Sequence, residues 1–267
     1  MEPEEVRLRE SAITDRKLKS GWVSGGSALS STSTRQRVHL RAGFDWRAVD
    51  AYLFDIDGTL LNSRDAVHYH SFHRAVEHFF GLTLRLNGIP VHGNTDIGIL
   101  RAYLEAAHLQ ESEWRHRVPE VTAFMCAEVE RNAADLCPEI CPAIVNVLDQ
   151  LRSDGKLLGV ASGNLESIGW AKLEKCGLRD YFSFGAFSGT RETRDEIIAY
   201  GISQAKSLRG PDTSVYVVGD TPADIASAHT NGVKVIATAT GIYSFDELLL
   251  HDPEMCVVCC EDLLQHI

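Results

Sequence analysis

The sequence predicts an α/β protein: a doubly wound parallel sheet, Rossmann-like in plan, with a block of α-helices inserted after its first strand. Three observations carry that expectation. From Ala143 onward, short apolar runs alternate with helical periodicities, the pattern of parallel strands covered by helices on both faces. Three apolar runs end abruptly in polar residues suited to chemistry, and strand ends are where an open parallel sheet binds its ligands. Residues 64–137 carry helical patterns with no strand signal to match the first strand, over a stretch longer than a simple crossover needs.

The elements follow in order. Residues 1–47 cluster Ser, Thr and Gly with few apolar positions and read as a flexible tail. Ala51–Phe54 is an uninterrupted apolar run, which reads as a strand buried on both faces. Asp65 to Phe80 has apolar or aromatic residues at 66, 69, 72, 76, 79 and 80, the spacing of an amphipathic helix, and Gly81 is suited to close it. Further helical patterns run over about 96–108 and 111–134. Cys137-Pro138 and Cys141-Pro142 then break the chain, giving a second hinge to match Leu61-Asn62-Ser63. Beyond them come helix 143–153, strand 156–161, helix 166–176, strand 181–184, helix 193–208, strand 214–218, helix 222–230 and strand 233–237. Met255 to Cys259 reads as an added edge strand. The implied division is a core domain of residues 48–63 and 138–267 and an inserted helical domain of residues 64–137.

Composition narrows the function classes. With 267 residues and 44% hydrophobic content the chain can bury a full core. Its 26 basic and 37 acidic residues give a formal net charge of -11, which argues against nucleic acid as a partner. Small anionic substrates remain open, because a bound divalent cation reverses the local sign. The seven cysteines are scattered and do not form a disulfide framework, so a reducing cytoplasmic setting is expected. No apolar run approaches the roughly 18 residues of a membrane span. Arg16 to Phe44 holds basic residues and no acid, as transit peptides do, but Met1-Glu2-Pro3-Glu4-Glu5 speaks against targeting.

The first strand runs into Asp55-Ile56-Asp57-Gly58-Thr59. Two acids two apart on a continuing strand share one side, and that crowding raises one carboxylate's pKa or recruits a cation. An ordinary acidic turn is the plain alternative for these residues alone. Two further strand ends weigh against it: one leads into Ser162-Gly163-Asn164, the other into Gly219-Asp220-Thr221. In a parallel sheet these three ends can meet in one cleft. Two other clusters read plainly. His68, His70, His73 and His78 share a helix without an acidic third ligand, and Cys256, Cys259 and Cys260 lack a second pair at zinc spacing, so the thiols are expected to be buried.

Over about residues 50–264 the chain resembles the haloacid dehalogenase-like hydrolases, and within them the phosphoglycolate-phosphatase-like members with a helical cap. The resemblance rests on Asp55-x-Asp57-Gly58-Thr59, on Ser162 in Ala161-Ser162-Gly163-Asn164-Leu165, on Gly219-Asp220-Thr221-Pro222-Ala223-Asp224 and on Thr238 to Gly241. It implies a magnesium-dependent phosphatase acting on a small phosphorylated metabolite through an aspartyl-phosphate. Asp55 is then the nucleophile and Asp57 the general acid-base. Asp55, Asp57 through its backbone carbonyl, Asp220 and Asp224 make up the Mg2+ site, with Asp224 orienting it. Ser162, Gly163 and Asn164 bind the phosphate. Where the family usually has a Lys, this chain offers Arg194, with Arg191 as the runner-up. In the cap, Gly93-Asn94-Thr95-Asp96 resembles a Gly-Arg-Thr-Asp stretch, which makes Thr95 and Asp96 specificity candidates, though Thr95 reads equally as a helix cap. Asn94 removes the positive charge of the usual Arg. The same acids would serve a phosphomutase; a non-catalytic binding module is the remaining alternative.

Overall fold

The computed structural model describes residues 38–83 and 88–265. A seven-stranded sheet forms the centre. Its strands are β1 (Val38–Leu40), β2 (Ala51–Phe54), β5 (Leu157–Leu165), β6 (Phe184–Ser188), β7 (Val215–Gly219), β8 (Lys234–Thr238) and β9 (Met255–Val257). They lie in the order β1-β9-β8-β7-β2-β5-β6. All neighbours pair parallel except β1 with β9. The chain steps from β2 outward to β5 and β6, then returns to the other side of β2 for β7, β8 and β9. This reversal is the place where an open sheet leaves a crevice at its strand ends.

Both sheet faces are covered. Tyr52 and Phe54 join one apolar cluster with helix α5 (Ile144–Ser153), while Ala51 and Leu53 join the opposite one. That second cluster contains α7 (Arg194–Arg209) and α8 (Pro222–Thr230). All four residues of β2 are buried, which is why its sequence shows no polar alternation.

The inserted block consists of α1 (Val67–Phe80), α2 (Asp96–Ala106), the short α3 (Glu111–Trp114) and α4 (Val118–Arg131). Gly81 ends α1 in a left-handed conformation with its N–H on Glu77, as the sequence led one to expect. Phe72, Val76, Leu100, Leu104, Trp114, Met125 and Val129 pack together, joined by Leu165 and Ile168 from the sheet side. The two expected hinges are a single structure: β3 (Leu61–Ser63) and β4 (Pro138–Ile140) pair antiparallel as a two-stranded ribbon at the root of the block.

Four expectations need correction. The tail does not extend to residue 47: Val38–Leu40 is a sheet strand, and Phe44 and Trp46 are buried in the core. Residues 1–37 of that expectation lie outside the described residues. Met255–Val257 is consequently no edge strand, since β1 covers its free side. The strand expected over 181–184 is β6, shifted to Phe184–Ser188; Arg179–Tyr181 instead forms a 3-10 turn that the Arg179 side chain closes on the Phe182 carbonyl at 2.9 Å. Finally, β5 does not stop at residue 161 but runs on through Leu165, carrying Ser162 and Asn164 with it.

Candidate active site

Asp55 directly follows β2 and Asp220 directly follows β7, and the parallel pairing of these strands sets the two side by side. Asp224 sits in the first turn of α8 and Arg194 begins α7. Both helices are held at that end by capping boxes, Thr221 with Asp224 and Thr193 with Glu196. The result is a cluster in which Asp55, Asp220 and Asp224 each bring a carboxylate oxygen within 4.8 Å of the others.

One guanidinium faces these three acids. Arg194 places Nη2 2.7 Å from Asp55 Oδ2 and donates from Nε to Asp224 Oδ1 at 2.9 Å. Arg191, the other candidate, stacks over the Tyr200 ring at 3.4 Å from its centroid and takes no part. Asp224 is saturated, because its second oxygen accepts from the Thr221 N–H at 3.1 Å and hydroxyl at 2.7 Å. Thr59 donates to Asp220 Oδ1 at 3.1 Å. Asp55 Oδ1, by contrast, is buried with no hydrogen-bond partner.

The electrostatics match this imbalance. Burial pushes the Asp55 carboxyl up to about 6, with Arg194 pulling it down and Asp224 and Asp57 adding to the rise. Burial, then the charges of Asp55 and Asp224, push Asp220 well above the usual carboxylate range. An all-oxygen cluster, surplus negative charge and one orphaned oxygen fit a hard divalent cation. Gly58, at φ 89°, and Gly241 are needed here for room, since a Cβ on either would collide with the Asp220 carboxylate.

Asp57 belongs to a different network. The strand expected to carry both acids on one side ends at Phe54, and the two carboxylates take different partners. Lys172 Nζ lies 2.9 and 2.8 Å from the two Asp57 oxygens and 2.9 Å from Asn164 Oδ1. Asn164 Nδ2 donates to Asp57 Oδ2 at 2.7 Å and to Ser162 Oγ at 2.8 Å. Burial works to raise the Asp57 carboxyl, but Lys172 and the hydrogen bonds from Lys172 and Asn164 outweigh it and hold it below the ordinary carboxylate value. The two acids therefore differ: Asp55 shares one cation with two other acids, while Asp57 has a lysine to itself.

Lys172 was not anticipated. It lies on α6 (Glu166–Lys175), 3% exposed, on the stripe that also buries Ile168, Gly169 and Leu173. A lysine on the apolar stripe of a helix was the available sign, because buried ammonium groups require a partner.

Residues 52–238 match the family described as haloacid dehalogenase-like hydrolase. The chain belongs to the haloacid dehalogenase-like hydrolases. A curated phosphoglycolate phosphatase of Synechococcus elongatus is 26% identical over 82% of this chain and 97% of that protein. Among solved structures, a predicted phosphatase from Clostridium acetobutylicum superposes with a TM-score of 0.61 at 20% identity, covering 81% of this chain and 97% of that one. A β-phosphoglucomutase from Clostridium difficile does so at 0.59 and 18%, covering 82% and 96%. The fold of this hydrolase is thus the expected one, and the Synechococcus relative is named as a phosphatase.

In this hydrolase the strand ends floor a cavity of about 380 Å³ that the inserted helices roof. Asp96, at the start of α2, reaches down to accept the Leu165 N–H at 2.8 Å and faces His68 Nε2 at 3.1 Å. Thr95 does not line the cavity. It caps α2 by accepting from Gly98 N–H at 2.9 Å, and its hydroxyl donates to the Glu192 carbonyl at 2.6 Å, so its expected part in specificity gives way to holding roof on floor. The Glu192 carboxylate in turn pairs with Arg101 and Arg115 of the inserted block. Gly163 sits so close to the Asn94 carbonyl that a side chain there has no space.

Proposed function

We propose that this chain is a magnesium-dependent phosphomonoesterase working through an aspartyl-phosphate, with residues 64–137 as its cap domain on a core of residues 48–63 and 138–267. The observation that carries the reading is the separation of Asp55 from Asp57: one buried carboxylate with an unpartnered oxygen, one carboxylate on its own proton-handling network. In the first step an Asp55 oxygen bonds to phosphorus as the ester P–O bond breaks, and Asp57 gives a proton to the leaving oxygen. The arriving phosphate charge raises Asp57's proton affinity and so loads it for that task. In the second step water attacks phosphorus, its proton passes to Asp57, and the Asp55 carboxylate is released with inorganic phosphate. Magnesium, held by Asp55, Asp220 and the Asp57 backbone carbonyl, would supply charge neutralisation between carboxylate and phosphate. Asp224 fixes Arg194, which stabilises the nucleophile and the phosphoryl oxygens as a planar fork. Ser162 and the amides around Gly163 and Asn164 take the remaining phosphoryl oxygens.

None of the seven cysteines is joined in a disulfide, which supports a reducing, cytoplasmic setting, and among the described residues no helix is long and apolar enough to cross a membrane. The test is magnesium-dependent phosphate release from a panel of phosphorylated metabolites. Asp55→Asn is expected to lower kcat by more than about a thousandfold. Equal behaviour of wild type and variant across the panel would defeat the reading. Phosphoryl transfer from a sugar bisphosphate to an isomeric monophosphate, without net release, would make the protein a mutase instead.

A further inference from the structure

Resting on that reading, we propose that the alcohol released by this enzyme carries no negative charge: the site takes phosphate esters of neutral or cationic alcohols and disfavours carboxylated ones. The distribution of charge around the cavity is the ground for it. Among the described residues lining it, the Lys and Arg side chains are Lys172 and Arg194, and both lie in the floor. Both are already engaged, Lys172 by Asp57 and Asn164, Arg194 by Asp55 and Asp224. Five carboxylates line the same space, those of Asp55, Asp57, Asp65, Asp96 and Asp220. A divalent cation and a phosphate dianion cancel one another and Asp57 carries the proton it will donate, so the surroundings of the bound ester stay negative by two (Lys172 and Arg194 against Asp55, Asp65, Asp96 and Asp220).

The roof offers nothing to offset this. Its side chains are Tyr69, Val91, Ile99, the exposed His92 and His68, the last already facing Asp96 Oδ2 at 3.1 Å through Nε2. Asn94 is spent on its own loop, accepting from the Thr95 N–H at 2.8 Å and donating to the Pro90 carbonyl at 2.9 Å. A carboxylate on the leaving group would thus be desolvated between an acidic floor and an uncharged roof, with no guanidinium or ammonium to receive it. A hydroxyl, an apolar ring or an ammonium meets no such penalty, and Tyr69 gives a ring a face to pack on. The inference parts from the substrate for which the Synechococcus relative is named.

Three esters of nearly equal size separate the outcomes: 2-phosphoglycolate, 2-hydroxyethyl phosphate and O-phosphoethanolamine, with p-nitrophenyl phosphate reporting phosphatase chemistry alone. The expected result is a kcat/KM for the neutral and cationic esters at least about tenfold above that for phosphoglycolate at low ionic strength. The gap should narrow in high salt, as a charge effect must. His92→Arg, which adds a cation to the rim, should raise kcat/KM for phosphoglycolate and not for 2-hydroxyethyl phosphate, while His92→Gln should leave the ratio as it was. Phosphoglycolate turned over as well as the neutral ester, with p-nitrophenyl phosphate also cleaved, overturns this inference and leaves the phosphatase standing. Cleavage of none of the four overturns both.

Discussion

The floor and the roof of the cavity are built to opposite rules. In the floor, Asp55, Ser162, Asn164, Lys172, Arg194 and Asp220 are all buried, and nearly every polar atom is matched to another. The roof and rim leave Tyr69 43% and Ile242 58% exposed, and the described lining there holds no Lys or Arg. Strand ends and helix N-termini fix the floor groups through backbone that cannot shift without breaking the sheet. The roof meets the floor through apolar packing on Leu165 and Ile168 and through polar contacts around Asn94–Asp96 and Glu192. The proposed chemistry thus falls where geometry is rigid, and the proposed substrate choice where side chains can change without cost to the fold.

Breaking the floor should be the most damaging change. Arg194→Met leaves Asp55 and Asp224 buried without their cation, and kcat/KM is expected to fall roughly a thousandfold. Stability should drop by about 3–5 kcal/mol, the usual cost of stripping one partner from a buried pair. Arg194→Lys keeps the charge and should recover most of the stability but only part of the activity. Kinetics paired with thermal melts tells the two losses apart, and a Met variant that stays active would sink Arg194's role.

A smaller effect sharpens the electrostatic contrast. Because the folded Asp55 and Asp220 prefer their protons more than the unfolded chain does, their contribution to stability is present at low pH; that of Asp55 is lost as pH rises through about 6, and that of Asp220, shifted in the same direction, is also lost with rising pH. Magnesium bound at these acids would compete with the same protons. The rise in Tm on adding magnesium should then be a few degrees larger at pH 7.5 than at pH 5.5. Asp57, with its depressed pKa, works in the opposite direction but only below the ordinary carboxylate range. A magnesium effect that shrinks as pH rises would contradict the assignment of these acids to the cation.

The least effect is expected at the contact between roof and floor. Glu192→Gln loosens its pairs with Arg101 and Arg115, which are partly exposed. Such pairs contribute at most about 1 kcal/mol, so Tm should hardly move. KM should rise a few-fold while kcat holds, and a loss of kcat with unchanged KM would mean that Glu192 acts on the floor.

Much of this was legible in the sequence. A strand buried on both faces has to be an apolar run, so β2, β5 and β7 announced themselves, and the polar residues that stop such runs had to lie at the sheet's carboxyl edge. Asp55, Asp57, Ser162 and Asp220 were singled out in that way, and the four line one cavity. The helix caps that set Arg194 and Asp224 were also written locally, in Thr193 with Glu196 and Thr221 with Asp224.

Other features depended on neighbours distant in the chain. A three-residue strand such as Val38–Leu40 exists only because β9 offers an open edge. Arg191 and Arg194 look alike in sequence, and the choice between them is made by Tyr200 and by two carboxylates from other strands and helices. Lys172 meets Asp57 across 115 residues of chain. The contrast between the two aspartates was likewise decided in three dimensions: pKa depends on burial and on which charges lie within a few ångströms, and only the folded chain brings Lys172 to one and Arg194 with two more acids to the other.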